Sequence, residues 1–252
     1  MGEVITDVGI DLDGVIYPFV DAFGFYCKER LGVSSLPTPT HWHFYEDWGL
    51  DSETFNAWLL EATKTNQIFS SSHPYKGVVE AWKELRDMGV KIHILTARPQ
   101  SAWGQTVEWL STHNLHVDSL HFGDTKGFLS KIATGKAVLL DDQIVYYEEA
   151  EKAGIIPCFV TRDWNVNKKD ANRVNNLLEF VSFVRGYNAK GKTVVKESKL
   201  YKSAPKEKVN IYTKKIQPFP YRPHGEDPIW KNTELHEKGW GPWTARHQEP
   251  NS

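Results

Sequence analysis

Short apolar runs that end in polar residues recur along the first 185 residues and constrain the fold more than any other feature. Each run is typical of a buried strand, and stretches with helical periodicity lie between the runs. The five runs are Val4–Ile10, Val90–Leu95, Leu115–Phe122, Ala137–Leu140 and Pro157–Val160. The helix candidates are 75–88, 100–113, 127–134, 144–153 and 170–184. This alternation predicts an α/β fold in three layers, a Rossmann-like parallel sheet covered by helices on both faces.

An aromatic stretch interrupts the alternation. Residues 18–73 separate the first strand from the next strand–helix unit, and they hold eleven aromatic side chains. Asp51-Ser52-Glu53 within this stretch predicts the start of a helix. We therefore expect a small helical cap insertion over the end of the first strand. The catalytic core then consists of residues 1–17 and 74–185.

The charge of the chain is divided unevenly. The whole chain has 30 basic and 32 acidic residues, but the segment from Gly186 onward has 13 basic and 7 acidic ones and 7 of the 13 prolines. Because proline and glycine interrupt helices and central strands, an extended or polyproline-like tail is predicted for Tyr187–Ser252. We expect residues 186–252 to be a basic extension that contacts nucleic acid, an acidic protein face or the acidic body, or that stays solvated.

Composition excludes several classes of protein. Two cysteines, Cys27 and Cys158, cannot form a disulfide framework or a cysteine-rich zinc site. The sequence has no run of about 18 apolar residues and no signal-peptide pattern at its start. These features predict a cytoplasmic protein with no membrane partner, and they leave open whether it forms a homodimer.

Four acidic residues follow two of the apolar runs. Asp11 and Asp13 share one face of an extended chain because they are two residues apart, and Gly14 permits a turn after them. Asp141 and Asp142 follow the fourth run. If these strands are neighbours, the carboxylates meet at the carboxyl edge of the sheet and need a cation to offset their repulsion. Oxygen ligands without His or Cys favour Mg²⁺, so these four residues are the predicted metal site.

Residues that can hold an anion follow the second and third runs. Thr96 begins the sequence Thr96-Ala97-Arg98-Pro99 before a helix candidate, where a hydroxyl and backbone amides can bind phosphate. Arg98 either contacts phosphate or covers the surface. Lys126 opens the helix after the third run and can reach phosphate, whereas its rival Lys131 has the pattern of a surface residue.

These residues resemble, in order and in position, the motifs of the haloacid dehalogenase superfamily of phosphatases. The matching segments are DLDGV at 11–15, ILTAR with Thr96, GDTKG with Lys126, and LLDDQ with Asp141 and Asp142. Within that superfamily the chain is most similar to the 5'(3')-deoxyribonucleotidase branch and its phage and bacterial relatives. The segments that carry this likeness are DLDGVIYPF, HFYEDWGL, HPYKGVVEAWKEL and LLDDQIVYYEEAEKAGIIPCFVTRDWN.

The resemblance implies a role for each matching residue. Asp11 attacks phosphorus to form an aspartyl-phosphate, and Asp13 protonates the leaving oxygen and then activates water. Mg²⁺ binds Asp11, the Asp13 carbonyl and the acidic pair Asp141 and Asp142, of which Asp142 is favoured as the direct ligand. Thr96 and the amide of Ala97 hold the phosphate oxygens, and Lys126 adds positive charge.

The predicted function is Mg²⁺-dependent dephosphorylation of (deoxy)nucleoside monophosphates. Phe19, Trp42 and Phe44 are candidates for stacking on the base, with Phe19 at the position of a pocket aromatic in the resembled family. The competing interpretation places most of these rings in the core of the cap. Alternative functions are a phosphatase for another small phosphomonoester or a nucleic-acid 3'-phosphate, and a non-enzymatic binding or assembly protein on the same scaffold.

Overall fold

The sheet has six parallel strands in the order β3-β2-β1-β4-β5-β6. The computed structural model of the chain describes residues 3–168 and 171–197, the last seven of these as helix backbone only. The strands are β1 Ile5–Ile10, β2 Lys91–Thr96, β3 Ser119–Phe122, β4 Lys136–Asp141, β5 Ile156–Val160 and β6 Arg173–Val174. The predicted α/β fold with a parallel sheet is therefore confirmed, and β1 lies between β2 and β4, so the motif residues of three strands end side by side.

Helices cover both faces of this sheet. They are α1 Phe19–Leu31, α2 Phe44–Asp47, α3 Ser52–Lys64, α4 Val78–Asp87, α5 Trp103–Thr112, α6 Leu129–Ile132, α7 Ile144–Lys152 and α8 Leu177–Glu197. Short 3₁₀ turns occupy Gln100–Ala102, Lys126–Phe128 and Asp163–Asn165. One face of β1 packs Val8 and Ile10 into the larger apolar core, and the other face carries Gly9 against Leu95 and Leu129. The sheet is thus the middle of three layers.

The C-terminal part of the described chain differs from the prediction in two ways. Residues 173–174, predicted as helix, form β6, because Arg173 pairs with Phe159 of β5 and the helix begins only at Leu177. The extended structure predicted from Tyr187 is wrong for residues 187–197, which continue α8. The prolines that argued against a helix begin only at Pro205. The rest of the predicted tail, 198–252, lies outside the described residues.

The end of α8 is joined to the beginning of the chain. Asn188 accepts a hydrogen bond from the backbone N–H of Ile5 through its Oδ1 at 2.6 Å. Its Nδ2 donates to the carbonyl oxygen of the same residue at 3.0 Å. The strand that carries Asp11 is therefore fixed at its start by a side chain 183 residues away along the chain.

The stretch between β1 and β2 contains α1, α2 and α3, as the aromatic segment predicts. Asp51 caps α3 by accepting a hydrogen bond from the N–H of Thr54 at 2.7 Å, which confirms the predicted helix start. Phe23, Phe44 and Phe55 have no exposed surface, and the ring of Phe55 meets each of the other two edge-on. A small helical segment buries little aliphatic surface, so large aromatic side chains supply its apolar core. No helix in the described part of the chain is long and apolar enough to cross a membrane.

Candidate active site

Asp11 and Asp13 lie directly after the central strand. The N–H of Asp11 continues the ladder to β4 by donating to the Leu140 carbonyl oxygen at 3.0 Å. The chain then turns at Gly14, whose φ of +78° is in the region that favours glycine, and the Gly14 N–H donates to the Tyr17 carbonyl oxygen at 2.9 Å. This turn keeps both carboxylates at the carboxyl edge of the sheet, where each is more than nine-tenths buried.

Lys126 lies at the centre of the acidic cluster. Its ammonium group donates to Asp11 Oδ1 and to the carbonyl oxygen of Leu95, lies 3.5 Å from Asp141 Oδ2, and sits 4.8 Å from the ring centroid of Tyr146. Burial lowers the pKa of Lys126, but the attraction of Asp11 and Asp141 outweighs it and the pKa is raised. The side chain is fully buried whereas Lys131 is exposed, so Lys126 is the lysine that reaches the cluster.

The acidic cluster carries more negative charge than Lys126 balances. Burial raises the pKa of Asp11 to about 7, with Lys126 acting against this shift and Asp141 and Asp13 adding to it. Burial, Asp141 and Asp11 raise the pKa of Asp142 well above its ordinary value. Burial is the largest cause of both shifts, and the neighbouring carboxylates add to it, so the charged forms of Asp11 and Asp142 are poorly stabilised by the protein alone. The shifts mark the cluster as a place where a cation would be stabilised.

Each residue of the acidic pair has one oxygen that accepts a hydrogen bond and one that does not. Asp141 Oδ1 accepts from the N–H of Gln143 at 2.9 Å, and Asp142 Oδ2 accepts from the indole N–H of Trp164 at 3.0 Å. Asp141 Oδ2 and Asp142 Oδ1 are buried, and neither has a hydrogen-bond partner among the described residues. Asp141 Oδ2 still forms an ion pair with the Lys126 ammonium at 3.5 Å. Buried polar atoms of this kind need an explanation such as an ion. Together with Asp11 they form an all-oxygen donor set that fits Mg²⁺.

Arg98 is buried and forms an ion pair with Asp13. Its Nη2 donates to Asp13 Oδ1 at 2.7 Å and its Nε donates to Oδ2 at 2.9 Å, a bidentate geometry. Its Nη1 donates to Thr106 Oγ1 at 3.0 Å. The guanidinium lies between the rings of Tyr17 and Phe69, 4.6 and 4.5 Å from their centroids. This placement excludes a surface role. The sequence did not indicate the contact with Asp13, because nothing in the spacing shows that the turn after β2 folds back to β1.

Thr96 and Ala97 lie at the end of β2, the strand that pairs with β1. Thr96 is buried at the end of β2, and its Oγ1 accepts from the N–H of Arg98 at 3.2 Å. A hydroxyl that accepts one hydrogen bond can still donate another. Ala97 is half-buried beside it. The structure thus brings the predicted Asp11, Thr96 and Lys126 to one edge of the sheet.

The aromatic candidates fall into two groups. Phe19 and Phe44 are buried, and Phe19 stacks with Phe23 and Phe69 at centroid distances of 5.9 and 6.0 Å. Trp42 is half-buried and meets the ring of Trp164 edge-on at 5.9 Å. The role of Phe19, Trp42 and Phe44 as substrate contacts stays a prediction.

Trp164 itself was not among the residues singled out from the sequence. Its position four residues after a predicted strand end is the one signal that could have found it.

Sequence comparison relates the chain to nucleotidases. The model of the family described as 5' nucleotidase, deoxy (pyrimidine), cytosolic type C protein matches residues 4–191. A curated protein of Chlorobaculum tepidum named "Putative 5'(3')-deoxyribonucleotidase" is 28% identical over 124 residues. That match covers 46% of this chain, and the chain spans 61% of the length of this relative.

Structural comparison identifies the fold as that of the haloacid dehalogenase-like hydrolases. A structure titled as a predicted phosphatase from Clostridium acetobutylicum has a TM-score of 0.54 at 16% identity, covering 73% of this chain and 99% of that one. A haloacid dehalogenase-like hydrolase from Streptococcus pneumoniae has a TM-score of 0.52 at 16% identity, with 71% and 98% covered. At this level of identity the likeness concerns the fold alone.

Proposed function

The chain belongs to the family of cytosolic type C 5' nucleotidases and is a phosphatase of the haloacid dehalogenase type, and on this premise we propose that it hydrolyses (deoxy)nucleoside monophosphates with Mg²⁺. The observation that carries the proposal is the buried cluster of Asp11, Lys126, Asp141 and Asp142 at the carboxyl edge of the sheet. A cluster of carboxylates with a single lysine and unpartnered oxygens suits an anionic phosphate only together with a cation. Because the family consists of hydrolases, the non-enzymatic alternative is set aside.

Asp11 is the nucleophile in this proposal. Its carboxylate attacks phosphorus in line, the P–O bond to the nucleoside breaks, and an aspartyl-phosphate forms. Asp13, two residues on and on the same face of the chain, gives a proton to the leaving ester oxygen. In the second half it takes a proton from the water that attacks the aspartyl-phosphate, which releases inorganic phosphate and restores Asp11.

Three further side chains prepare the reaction. Lys126 holds Asp11 and offers positive charge to the phosphate oxygens, while the Thr96 hydroxyl and the Ala97 amide donate hydrogen bonds to them. Arg98 fixes the direction of Asp13 through two hydrogen bonds. Lys126 and Thr96 are held in place before substrate arrives, so they need little reorganisation. Asp13 must open one of its hydrogen bonds to Arg98 before that oxygen can carry the proton that it donates.

The magnesium ion would be held by Asp11, the backbone carbonyl of Asp13 and the acidic pair, with Asp142 as the direct ligand. When bound, Mg²⁺ offsets the repulsion between an anionic nucleophile and an anionic phosphate. The unpartnered Oδ1 of Asp142 supports the choice of this residue.

Release of inorganic phosphate from a panel of ribo- and deoxynucleoside monophosphates, with sugar phosphates beside them, tests the substrate class. Turnover of nucleotides in the presence of Mg²⁺ and none in EDTA is expected. Activity on sugar phosphates but on no nucleotide would refute the substrate assignment. Asp11→Asn should reduce turnover to background, whereas Asp87→Asn, the same change at an exposed position of α4, should not. An active Asp11→Asn variant would refute the mechanism.

A nucleic-acid 3'-phosphate is a second candidate substrate. The observation that favours it is the excess of basic residues after Gly186, since a polynucleotide is bound largely through its phosphates. Comparing kcat/KM of the full chain on an oligonucleotide 3'-phosphate and on a nucleoside monophosphate distinguishes the two. A preference for the oligonucleotide that disappears at high salt would favour this candidate.

The predicted homodimer and the contact of the tail with nucleic acid or protein stay predictions. Sedimentation velocity of the full chain measures the first. Binding of a labelled oligonucleotide at two salt concentrations measures the second.

A further inference from the structure

Asp142 is held on two sides while one of its atoms is left without a partner. Its carbonyl oxygen accepts from Asn165 Nδ2 at 2.8 Å, and its Oδ2 accepts from the indole N–H of Trp164 at 3.0 Å. Its Oδ1 is buried and has no hydrogen-bond partner among the described residues. An indole nitrogen can only donate, so Trp164 occupies Oδ2 and directs the carboxylate so that Oδ1 is the oxygen left to bind an ion.

The turn that carries Trp164 is fixed by its neighbour in the chain. Asn165 is fully buried in the 3₁₀ turn after β5. Its Nδ2 also donates to the Val160 carbonyl oxygen at 2.8 Å, and its Oδ1 accepts from Arg173 Nη1 at 2.6 Å. The side chain of Asn165 thus ties this turn to the end of β5, to β6 and to the acidic pair. The indole of Trp164 is therefore presented from a rigid support rather than from a mobile loop.

The turn at Gly14 also lies against the Asp142 carboxylate. A Cβ placed on Gly14 would lie 2.3 Å from Asp142 Oδ2 and 3.5 Å from Cζ2 of Trp164. Oδ2 therefore has two neighbours that limit its position, the Trp164 N–H and the backbone of Gly14. Neither contact uses Oδ1.

The cap insertion reaches the same indole. Trp42, in the segment before α2, packs edge-on against Trp164 with ring centroids 5.9 Å apart and an interplanar angle of 65°. The insertion holds Phe19, Trp42 and Phe44, the side chains predicted to stack on the base. A side chain of the insertion therefore supports the residue that orients one of the metal-site carboxylates.

We propose that Trp164 is a positioning residue of the magnesium site: its indole N–H holds Asp142 Oδ2 and thereby presents Oδ1 to the ion. The inference rests on the proposed function, because it needs Mg²⁺ to bind at the acidic pair. Residues that hold a metal ligand from behind typically change metal affinity by about 10- to 100-fold when they are replaced.

The experiment is calorimetric titration of Mg²⁺ into the full chain without substrate, so that the readout does not depend on activity. Trp164→Phe keeps the ring and loses the N–H, and its Kd for Mg²⁺ should be about 10-fold weaker than that of the wild type. Trp164→His restores an N–H on a smaller ring and should recover part of the affinity. Trp82→Phe is the control, since Trp82 also donates its indole N–H, to the His116 carbonyl oxygen at 2.9 Å, outside the site. Trp82 is buried whereas Trp164 is half-buried, so the control tests the loss of an indole hydrogen bond under stricter packing.

The outcomes separate the inference from the proposed function. Equal Mg²⁺ affinity of the wild type and of Trp164→Phe would overturn the inference and leave the proposed function standing. The same loss in Trp82→Phe would also overturn it, because the effect would then follow from any lost indole hydrogen bond. A wild-type chain that binds no Mg²⁺ would remove both. Melting temperatures measured without Mg²⁺ verify that each variant is folded before its affinity is compared.

Discussion

Replacing Gly14 by alanine tests whether the turn after β1 is shaped by the acidic pair. Gly14 has a φ of +78°, and Gly49, after α2, has a φ of +76°. Alanine at either position adopts the left-handed region at a cost of about 1–2 kcal/mol. The two sites differ in their surroundings, because a Cβ at Gly49 meets nothing within 4 Å, whereas a Cβ at Gly14 would lie 2.3 Å from Asp142 Oδ2.

The expected effect on activity follows from this distance. Real Cβ atoms essentially never come closer than 3.0 Å to such an atom, so the Asp142 carboxylate must move by about 0.7 Å. A misplacement of about 1 Å in a catalytic constellation can cost about 100-fold in rate. We therefore expect Gly14→Ala to lose about 10- to 100-fold in kcat/KM and Gly49→Ala to keep the wild-type value.

Phosphate release and urea unfolding of both variants provide the assay. Both should lose about 1–2 kcal/mol of unfolding free energy through backbone strain, and only Gly14→Ala should lose activity. Equal activity of the two variants, whether both high or both low, would refute the argument, because the contact with Asp142 would then have no effect of its own.

Three further predictions concern packing, charge and a buried thiol. Gly104→Ala in α5, where a Cβ meets nothing within 4 Å, should raise the unfolding free energy in urea by up to about 1 kcal/mol. Gly9→Ala should lower it by about 1–3 kcal/mol, because its Cβ would lie 2.6 Å from a core leucine. An unchanged unfolding free energy of Gly9→Ala would contradict the tight packing against β1. Arg98→Met should lower the unfolding free energy in urea by about 3–5 kcal/mol, since it leaves the buried Asp13 carboxylate without its partner, and a loss below 1 kcal/mol would contradict the buried pair. Burial raises the pKa of Cys158 to about 12, above its ordinary 9.0. The stability that the buried neutral thiol contributes should therefore be intact below pH 9 and lost as the pH rises towards 12. Alkylation at pH 8.5 should be fast only in denaturant, and fast labelling of the folded chain would contradict this.

The sequence predicts the strands that carry the motifs because hydrophobic burial determines them. Val8 and Ile10 lie on one face of a strand buried on both sides, and such strands appear as continuous apolar runs. β6 escaped prediction for the opposite reason. It is two residues long, and Arg173 joins the sheet through its pairing with β5 and not through an apolar pattern of its own.

The candidate site likewise has one part that the sequence predicts and one part that it does not. Asp11, Thr96 and Lys126 follow strand ends, and parallel strands bring their carboxyl ends to one edge, so sequence order alone predicts that they meet. The contacts of Arg98 with Asp13 and of Trp164 with Asp142 join residues 85 and 22 positions apart through side-chain directions. Such directions depend on the rotamers and turns of the folded chain, which no spacing rule specifies.

The two hydrogen bonds between Asn188 and Ile5 have a consequence for where the chain can be shortened. They join α8, the last described helix, to the first residue of β1, so the two ends of the described chain are in contact. A boundary drawn at residue 185, as charge and proline content suggest, would cut the chain before this contact. The backbone of Ile5 would then lose both partners at the base of the strand whose far end carries Asp11. The strand that leads to Asp11 and the last described helix are thus joined directly, although they lie near the two ends of the described sequence.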